Sequence, residues 1–228
     1  SYYCESFTKE KAKEVNKLIL TASGGPFRDY SLDQIKNATL NEALAHPTWN
    51  MGKKITVDSA TMMNKSLEVI EARWLFDVPV DKIDVLIHHQ SIIHSMVEFV
   101  DGSTIAQLSP PDMCLPIQLA LTYPDRVEGI CNHLNLSELK TLTFQKPDRD
   151  KFRAITLGFE AAKQGGSAPV VFNAANESAV KLFLEGKIDF INIVELIEDC
   201  LNKHNFVKSP GLDQLLDIDA RARKEVIE

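Results

Sequence analysis

The chain has 228 residues, enough for one or two domains with a sizeable core. Its formal net charge is -7 and no block of basic residues offsets it, which argues against nucleic acid as a partner and leaves any anionic ligand to be held by local groups. No apolar run approaches the roughly 20 residues of a membrane span.

The four cysteines, Cys4, Cys114, Cys131 and Cys200, form no C-x-x-C pair. That points away from a disulfide framework or a zinc knuckle and toward a reducing compartment. The chain opens Ser1-Tyr2-Tyr3-Cys4, with neither an initiator Met nor the shape of a signal peptide, and reads as the middle and end of a longer protein.

In chain order, residues 8–17 are highly charged and fit a short exposed helix or a linker. Leu18-Ile19-Leu20-Thr21-Ala22 reads as a buried strand, stopped by Ser23-Gly24-Gly25-Pro26. A strand ending in Ser-Gly-Gly can turn its backbone N–H groups into an anion-binding nest. Thr39-Leu40-Asn41-Glu42 has the capping-box form, so a short helix is predicted to run to about Ala45. The following loop, His46 to Gly52, carries a Trp, a Met and a His. Two readings stand: large side chains tucked under the loop as core, or a lid that closes over a ligand.

The stretch from Lys54 to Glu71 organises the chain. Ile55 and Val57 alternate with polar neighbours, as in a short strand. Asp58 and Ser59 are N-cap types, and a helix is predicted from Ala60 with Met63, Leu67, Ile70 and Trp74 as its buried stripe. Thr61, Asn64, Glu68 and Glu71 share another face, with Lys65 at its edge. A hydroxyl, an amide and an ammonium at a helix start favour an anion. Glu68, roughly 6 Å further along the axis than Asn64, invites a cation beside it. The plain alternative is an amphipathic helix with a solvated face. Asp58 with Glu68 would make an acid/base pair, although capping is the commoner role for such an Asp.

Beyond it, Ile83 to His88 is strand-like, and Met96–Val100 and Thr104–Leu108 form a predicted hairpin about Asp101-Gly102. Pro110-Pro111-Asp112-Met113 is a rigid loop, and a helix from about Leu115 is predicted to stop at Tyr123-Pro124. His88, His89 and His94 match no zinc spacing. One of them is expected to reach an active site while the others are structural. Residues 125–150 are irregular. From Lys151, helical patterns at 152–164, 176–184, 193–202 and 212–226 suggest a small bundle. An Asn N-cap accounts for Asn173-Ala174-Ala175-Asn176-Glu177.

Taken in order, several segments resemble the 1-deoxy-D-xylulose 5-phosphate reductoisomerase family, NADPH-dependent enzymes of the non-mevalonate isoprenoid pathway. The carrying segments are Thr21 to Arg28, His46 to Gly52, Val57 to Lys65 with Leu67-Glu68, Leu86-Ile87-His88, Gln90 to Ser95, Pro111-Asp112-Met113 and Asn173 to Glu177. The resemblance implies an α/β catalytic domain of the α+β kind with a mixed sheet at 1–122, a linker at 123–150 and an all-α helical domain at 151–228.

It also implies roles. Ser23, His46, Ser59, Asn64 and Lys65 match groups that hold the substrate phosphate, and Trp49 and Met51 match a lid over the substrate. Glu68 matches a ligand of Mg²⁺ or Mn²⁺, and His88 an active-site histidine acting with Lys65 and Glu68. Gly24, Met51, Gly52, Pro111 and Met113 match surroundings of the nicotinamide cofactor. The implied reaction is a metal-assisted rearrangement followed by NADPH reduction to 2-C-methyl-D-erythritol 4-phosphate.

Two departures bear on this. The family's N-terminal NADPH domain and its Asp-Ser-Glu metal segment have no counterpart in these residues, so the segment alone is expected to be inactive, or to be part of a fuller chain. His89 stands where the family usually has Pro, and Thr48 where Asn is common. The residues by themselves fit a non-redox metal-dependent sugar-phosphate isomerase or aldolase equally well, and a truncated interaction module remains a third reading. Homodimerisation, and a bacterial cytoplasm or plastid-type organelle, are expected from the resemblance.

Overall fold

The computed structural model describes residues 11–228, so residues 8–10 of the charged opening stretch lie outside the described part. Contacts divide the described chain into two compact units. One comprises the residues up to Ser23 with Asp84–Lys146, the other Gly24–Ile83 with Pro147–Glu228. Residues 24–83 therefore group with the C-terminal helices, although the linear reading sets them in different modules.

The first unit is built on a mixed four-stranded sheet, with β1 (Val15–Ala22), β2 (Ile83–Ile87), β3 (Ile93–Phe99) and β4 (Thr104–Leu108) in the order β2-β1-β3-β4. A 3-10 turn at Lys11–Glu14 precedes β1, which starts at Val15, three residues before its apolar run. The β1–β3 and β3–β4 pairs are antiparallel, with Leu18 opposite Val97 and Met96 opposite Ala106. Val15, Leu18, Ile19, Val85, Ile87, Ile93 and Val97 are among its buried apolar side chains. Helix α5 (Cys114–Thr122) follows the Pro110-Pro111 loop, and the irregular stretch after it returns to the sheet at a bridge between Ile87 and Gln145.

The second unit is helical. Short α1 (Leu32–Lys36) and α2 (Leu40–Leu44) each open on a capping box, Ser31 with Gln34 and Thr39 with Glu42, the second as predicted. Then come α3 (Lys53–Thr61), α4 (Met63–Leu75), α6 (Arg153–Gln164), α7 (Ala168–Leu184), α8 (Phe190–Lys203) and α9 (Leu212–Ile227). Helix α7 packs on α8 and α9, and α6 packs on α4. Phe27 meets Phe190 edge to face, with ring centroids 4.8 Å apart, tying the loop after Gly25 to α8.

Three local expectations fail, each for a physical reason. Residues 54–57 are not a strand: they open α3, which is buried on all sides from Thr56 to Thr61, so alternation of Ile55 and Val57 marks no sheet face, and Asp58 and Ser59 lie inside α3 and cap nothing. Trp74 is 65% exposed, and the buried face of α4 runs instead through Met63, Lys65, Ser66, Val69, Ile70 and Ala72. A small polar residue leads that face because α6 comes very close there. Ser66 Oγ donates to Ala154 O at 2.9 Å, and a Cβ on Gly158 would sit 2.5 Å from Ser66 Cβ. Finally, Asn176 does not open a helix. It lies mid-way along α7, which starts at Ala168 with Pro169 in its first turn.

Candidate active site

Helices α3 and α4 would be one rod but for Met62. Its φ of 65° is left-handed, a conformation costing an L-residue roughly 1–2 kcal/mol. It is held there by near-complete burial and by its N–H donating to Ser59 O at 3.2 Å. The break moves the helix amino end from Ser59, where the sequence put it, to Met63, so the first turn of α4 contains Asn64 and Lys65. First-turn N–H groups have no partner within their own helix and carry the positive end of the dipole.

Lys65 is 6% exposed, and its Nζ lies 2.5 Å from Glu68 Oε2, three residues along the same helix. Asn64 Oδ1 is buried with no hydrogen-bond partner. Ser59 is buried on α3, and the turn at Gly25 lies directly over its backbone: with φ at 66°, a Cβ on Gly25 would be 2.4 Å from Ser59 O. Only glycine fits so close an approach. Glu71, one turn beyond Glu68, has its carboxyl raised by burial and by the Glu68 charge, with Lys65 opposing.

The loop between α2 and α3 is irregular, and Trp49 and Met51 are half-buried on it, neither fully core nor fully exposed. His46 organises its first half. Its Nδ1 accepts from the backbone N–H groups of Thr48 at 3.1 Å and Trp49 at 2.9 Å, so in the neutral ring the proton sits on Nε2, a donor. Burial, then the Arg28 charge, hold the His46 pKa below its ordinary value. Gly52 is the N-cap of α3, and its carbonyl accepts from Thr56 N and Oγ1. Arg28 was given no role by the sequence; a cation in the first loop facing a histidine in the second is a pairing that only the fold supplies.

Asp58 is 1% exposed. Lys54 Nζ donates to its Oδ2 at 2.6 Å and Asn176 Nδ2 to its Oδ1 at 3.1 Å. Burial raises its pKa, and these two donors pull it back. This assigns Asn176 a positioning role that its sequence context hid, since its partner is 118 residues away.

In the sheet unit, His88 is fully buried at the end of β2. Its backbone N–H donates to Ala22 O, its ring stacks on Phe144 at 4.7 Å, and Nδ1 donates to Thr143 O at 2.9 Å. The proton on Nδ1 makes Nε2 an acceptor, and Nε2 is buried with no partner. Buried polar atoms are almost always satisfied, so this acceptor is suited to a ligand or a water. His89 and His94 are tied to backbone: His89 Nδ1 donates to Ser23 O at 3.3 Å and accepts from Gln145 at Nε2, while His94 Nε2 donates to Ser109 O. One of the three histidines thus presents a ring nitrogen without a partner, and two brace loops.

Ser23 ends β1 half-buried, and Gly24 follows in the turn with φ 88°. Pro111 is half-buried and Met113 58% exposed just before α5.

Two family models match the chain. The DXP reductoisomerase C-terminal domain covers residues 108–225 and the 1-deoxy-D-xylulose 5-phosphate reductoisomerase C-terminal domain residues 2–76. The chain belongs to the DXP reductoisomerase family. Among bacterial members, the reductoisomerase of Acetivibrio thermocellus is 55% identical over 224 residues, 98% of this chain and 59% of that protein. That of a Geobacillus species is 56% identical over 95% of this chain and 57% of its own length. The chain therefore spans less than two thirds of these relatives.

Solved reductoisomerases have the same fold. The Zymomonas mobilis enzyme in complex with NADPH matches with a TM-score of 0.90 at 42% identity, covering 98% of this chain and 58% of that one. A reductoisomerase with NADPH, fosmidomycin and magnesium matches at 0.89 and 44%, over 96% and 56%.

Proposed function

We propose that these residues are the catalytic and C-terminal part of a 1-deoxy-D-xylulose 5-phosphate reductoisomerase, which rearranges its sugar phosphate and reduces it with NADPH to 2-C-methyl-D-erythritol 4-phosphate in the presence of Mg²⁺ or Mn²⁺. The observation that carries the reading is the buried Lys65 beside Glu68 on the first turn of α4, created by the break at Met62. Relatives covering nearly the whole chain support it, and so does the magnesium- and fosmidomycin-bound reductoisomerase.

In this reading the α4 amino end, Lys65, the Ser59 hydroxyl and His46 grip the phosphoryl group, and Ser23 keeps the phosphate-holding role that the resemblance implies. Binding energy gathered there, away from the reacting carbons, is available to the transition state. The amide of Asn64 takes a substrate hydroxyl on its unmatched oxygen. Trp49 and Met51 cover the substrate and keep out water. The unpartnered Nε2 of His88 accepts a hydrogen bond from a substrate hydroxyl and fixes its orientation.

Glu68 offers the hard oxygen that Mg²⁺ and Mn²⁺ favour, but one carboxylate falls far short of six ligands. Among the described residues no group of three or more potential metal ligands includes Glu68. Gly24, Met51, Gly52, Pro111 and Met113 are assigned to the nicotinamide surroundings, and the sequence carries no G-x-G-x-x-G. The described residues thus furnish part of each site. The family's modular order, 1–122, 123–150 and 151–228, is proposed with the same assignment.

A homodimer is proposed as the working form. β4 is an edge strand, Ile105 and Leu108 on it are exposed, and α5 leaves Ile117 and Leu121 open, Leu121 at 82%. Exposed apolar edges of this kind are normally covered. Leu121→Asp is expected to shift the sedimentation of the intact protein to that of a monomer. A bacterial cytoplasmic location agrees with the bacterial relatives, and no described helix is long and apolar enough to cross a membrane.

The test is NADPH consumption by the full-length protein given deoxyxylulose phosphate and Mg²⁺. Substrate-dependent oxidation of NADPH supports the assignment. Product formation without NADPH would instead favour the non-redox isomerase, and no conversion the interaction module.

A further inference from the structure

Cys114 and Cys131 are separated by 16 residues and look unrelated in the sequence. In the fold they converge with Asp112: one carboxylate oxygen and the two sulfurs all lie within 4.8 Å of one another. Two sets of hydrogen bonds hold this arrangement. Asp112 Oδ1 accepts the backbone N–H of Cys114 at 2.8 Å, fixing the carboxylate at the start of α5. The Gln118 side chain, one turn further along α5, donates to Val127 O at 3.3 Å and Glu128 O at 3.0 Å, which draws the segment bearing Cys131 back against that helix. Both thiols are free, Cys114 exposed and Cys131 half-buried.

We propose that Asp112, Cys114 and Cys131 form a binding site for a thiophilic divalent cation, Zn²⁺ by its ligand chemistry, with water in the fourth position. Two sulfurs and a carboxylate oxygen at the corners of one triangle suit a tetrahedral d¹⁰ ion. Zn–S bonds of about 2.3 Å place ligand sulfurs about 3.8 Å apart, within reach of small side-chain rotations. Two soft ligands disfavour Mg²⁺ and Mn²⁺, so this site and the oxygen-donor Glu68 sort cations by hardness.

Both thiols are held above the ordinary cysteine pKa, Cys114 chiefly by its hydrogen bond to Asp112 and Cys131 chiefly by burial. Metal binding therefore displaces two protons to solvent and tightens as pH rises. Loading would clamp the Pro110–Met113 loop and the segment around Cys131 to the start of α5. The ligand set does not depend on the catalytic reading, although the loop it would clamp carries Pro111 and Met113.

The test uses the full-length protein, stripped of metal and kept reduced with a phosphine, titrated with Co²⁺ in excess Mg²⁺. One equivalent of cobalt with an intense sulfur-to-cobalt charge-transfer band is expected, lost in Cys114→Ser and in Cys131→Ser and bleached by stoichiometric Zn²⁺. Asp112→Asn should weaken binding while keeping the sulfur band. Circular dichroism of each variant separates loss of the site from loss of the fold, and a colorimetric zinc indicator competing with the unmodified protein provides a measurement without any variant. Absence of a charge-transfer band and of indicator competition would overturn the site. So would a band that persists in the double variant Cys114→Ser/Cys131→Ser.

Discussion

A carboxylate 1% exposed has given up nearly all its water, and the charge on Asp58 rests on Lys54 and Asn176. Because its folded pKa is raised, its contribution to stability is present below the unfolded value and fades as pH rises through the folded one. Asn176→Leu removes a donor and raises that pKa further. The variant is expected to lose about 1–3 kcal/mol at pH 7.5 by urea unfolding, and less at an acid pH low enough to protonate the carboxyl. An equal loss at both pH values would uncouple Asn176 from the Asp58 charge. His46 titrates with the opposite sign: its folded pKa is lowered, so its contribution is present above the unfolded value and lost as pH falls through the folded one. Protonation at Nδ1 ends its acceptance of the Thr48 and Trp49 N–H groups. Trp49 fluorescence in a Trp74→Phe background should report loosening of the loop on acidification, and the transition should vanish in His46→Ala. Short-range features such as the Thr39 capping box were legible in the sequence because both partners sit within one turn. Asn176 was not, because a mid-helix amide and a residue 118 positions away share no local pattern.

Among elements, the close approach of α6 to α4 at Gly158 and Ser66 is the tightest constraint on the face that carries Lys65 and Glu68. Gly158→Ala would gain up to about 1 kcal/mol in helix propensity. Its Cβ nevertheless has to displace Ser66, and overpacking of that kind costs about 1–3 kcal/mol. A net fall in Tm of several degrees is expected, with Ser66→Gly partly restoring it in the double variant; an unchanged Tm would show that the helices can separate freely. Gly25→Ala faces both a left-handed φ and a contact of 2.4 Å with Ser59 O, and should destabilise the fold and weaken phosphate binding together. The period of the hydrophobic pattern predicted α4, α6, α8, α9 and the β3–β4 hairpin. It missed α3, where four residues of apolar alternation imitate a strand, and the first eight residues of α7, where Pro169 and small side chains hide a helix start. The break at Met62 left no trace, since a methionine in the left-handed region is dictated by packing and not by composition.

For the molecule as a whole, the resemblance of ordered motifs conveyed the family, which both family models and the solved relatives bear out. What linear order hid was the grouping in space: residues 24–83 join the C-terminal helices, while the irregular stretch to Lys146 belongs with the sheet. A segment excursion of that kind has no local signature, because it is set by contacts between distant helices such as α4 with α6 and α3 with α7. The central claim is that one turn of α4 serves both ends of the chemistry, Lys65 toward the phosphate and Glu68 toward the divalent ion. The most direct measurement is the turnover of Glu68→Gln in the full-length protein with NADPH, deoxyxylulose phosphate and saturating Mg²⁺, alongside its circular dichroism and Tm. The account predicts a kcat reduced by more than about a hundredfold, the upper end of what outer-shell changes cost, in a protein that remains folded. Kinetics indistinguishable from the unmodified enzyme would contradict it.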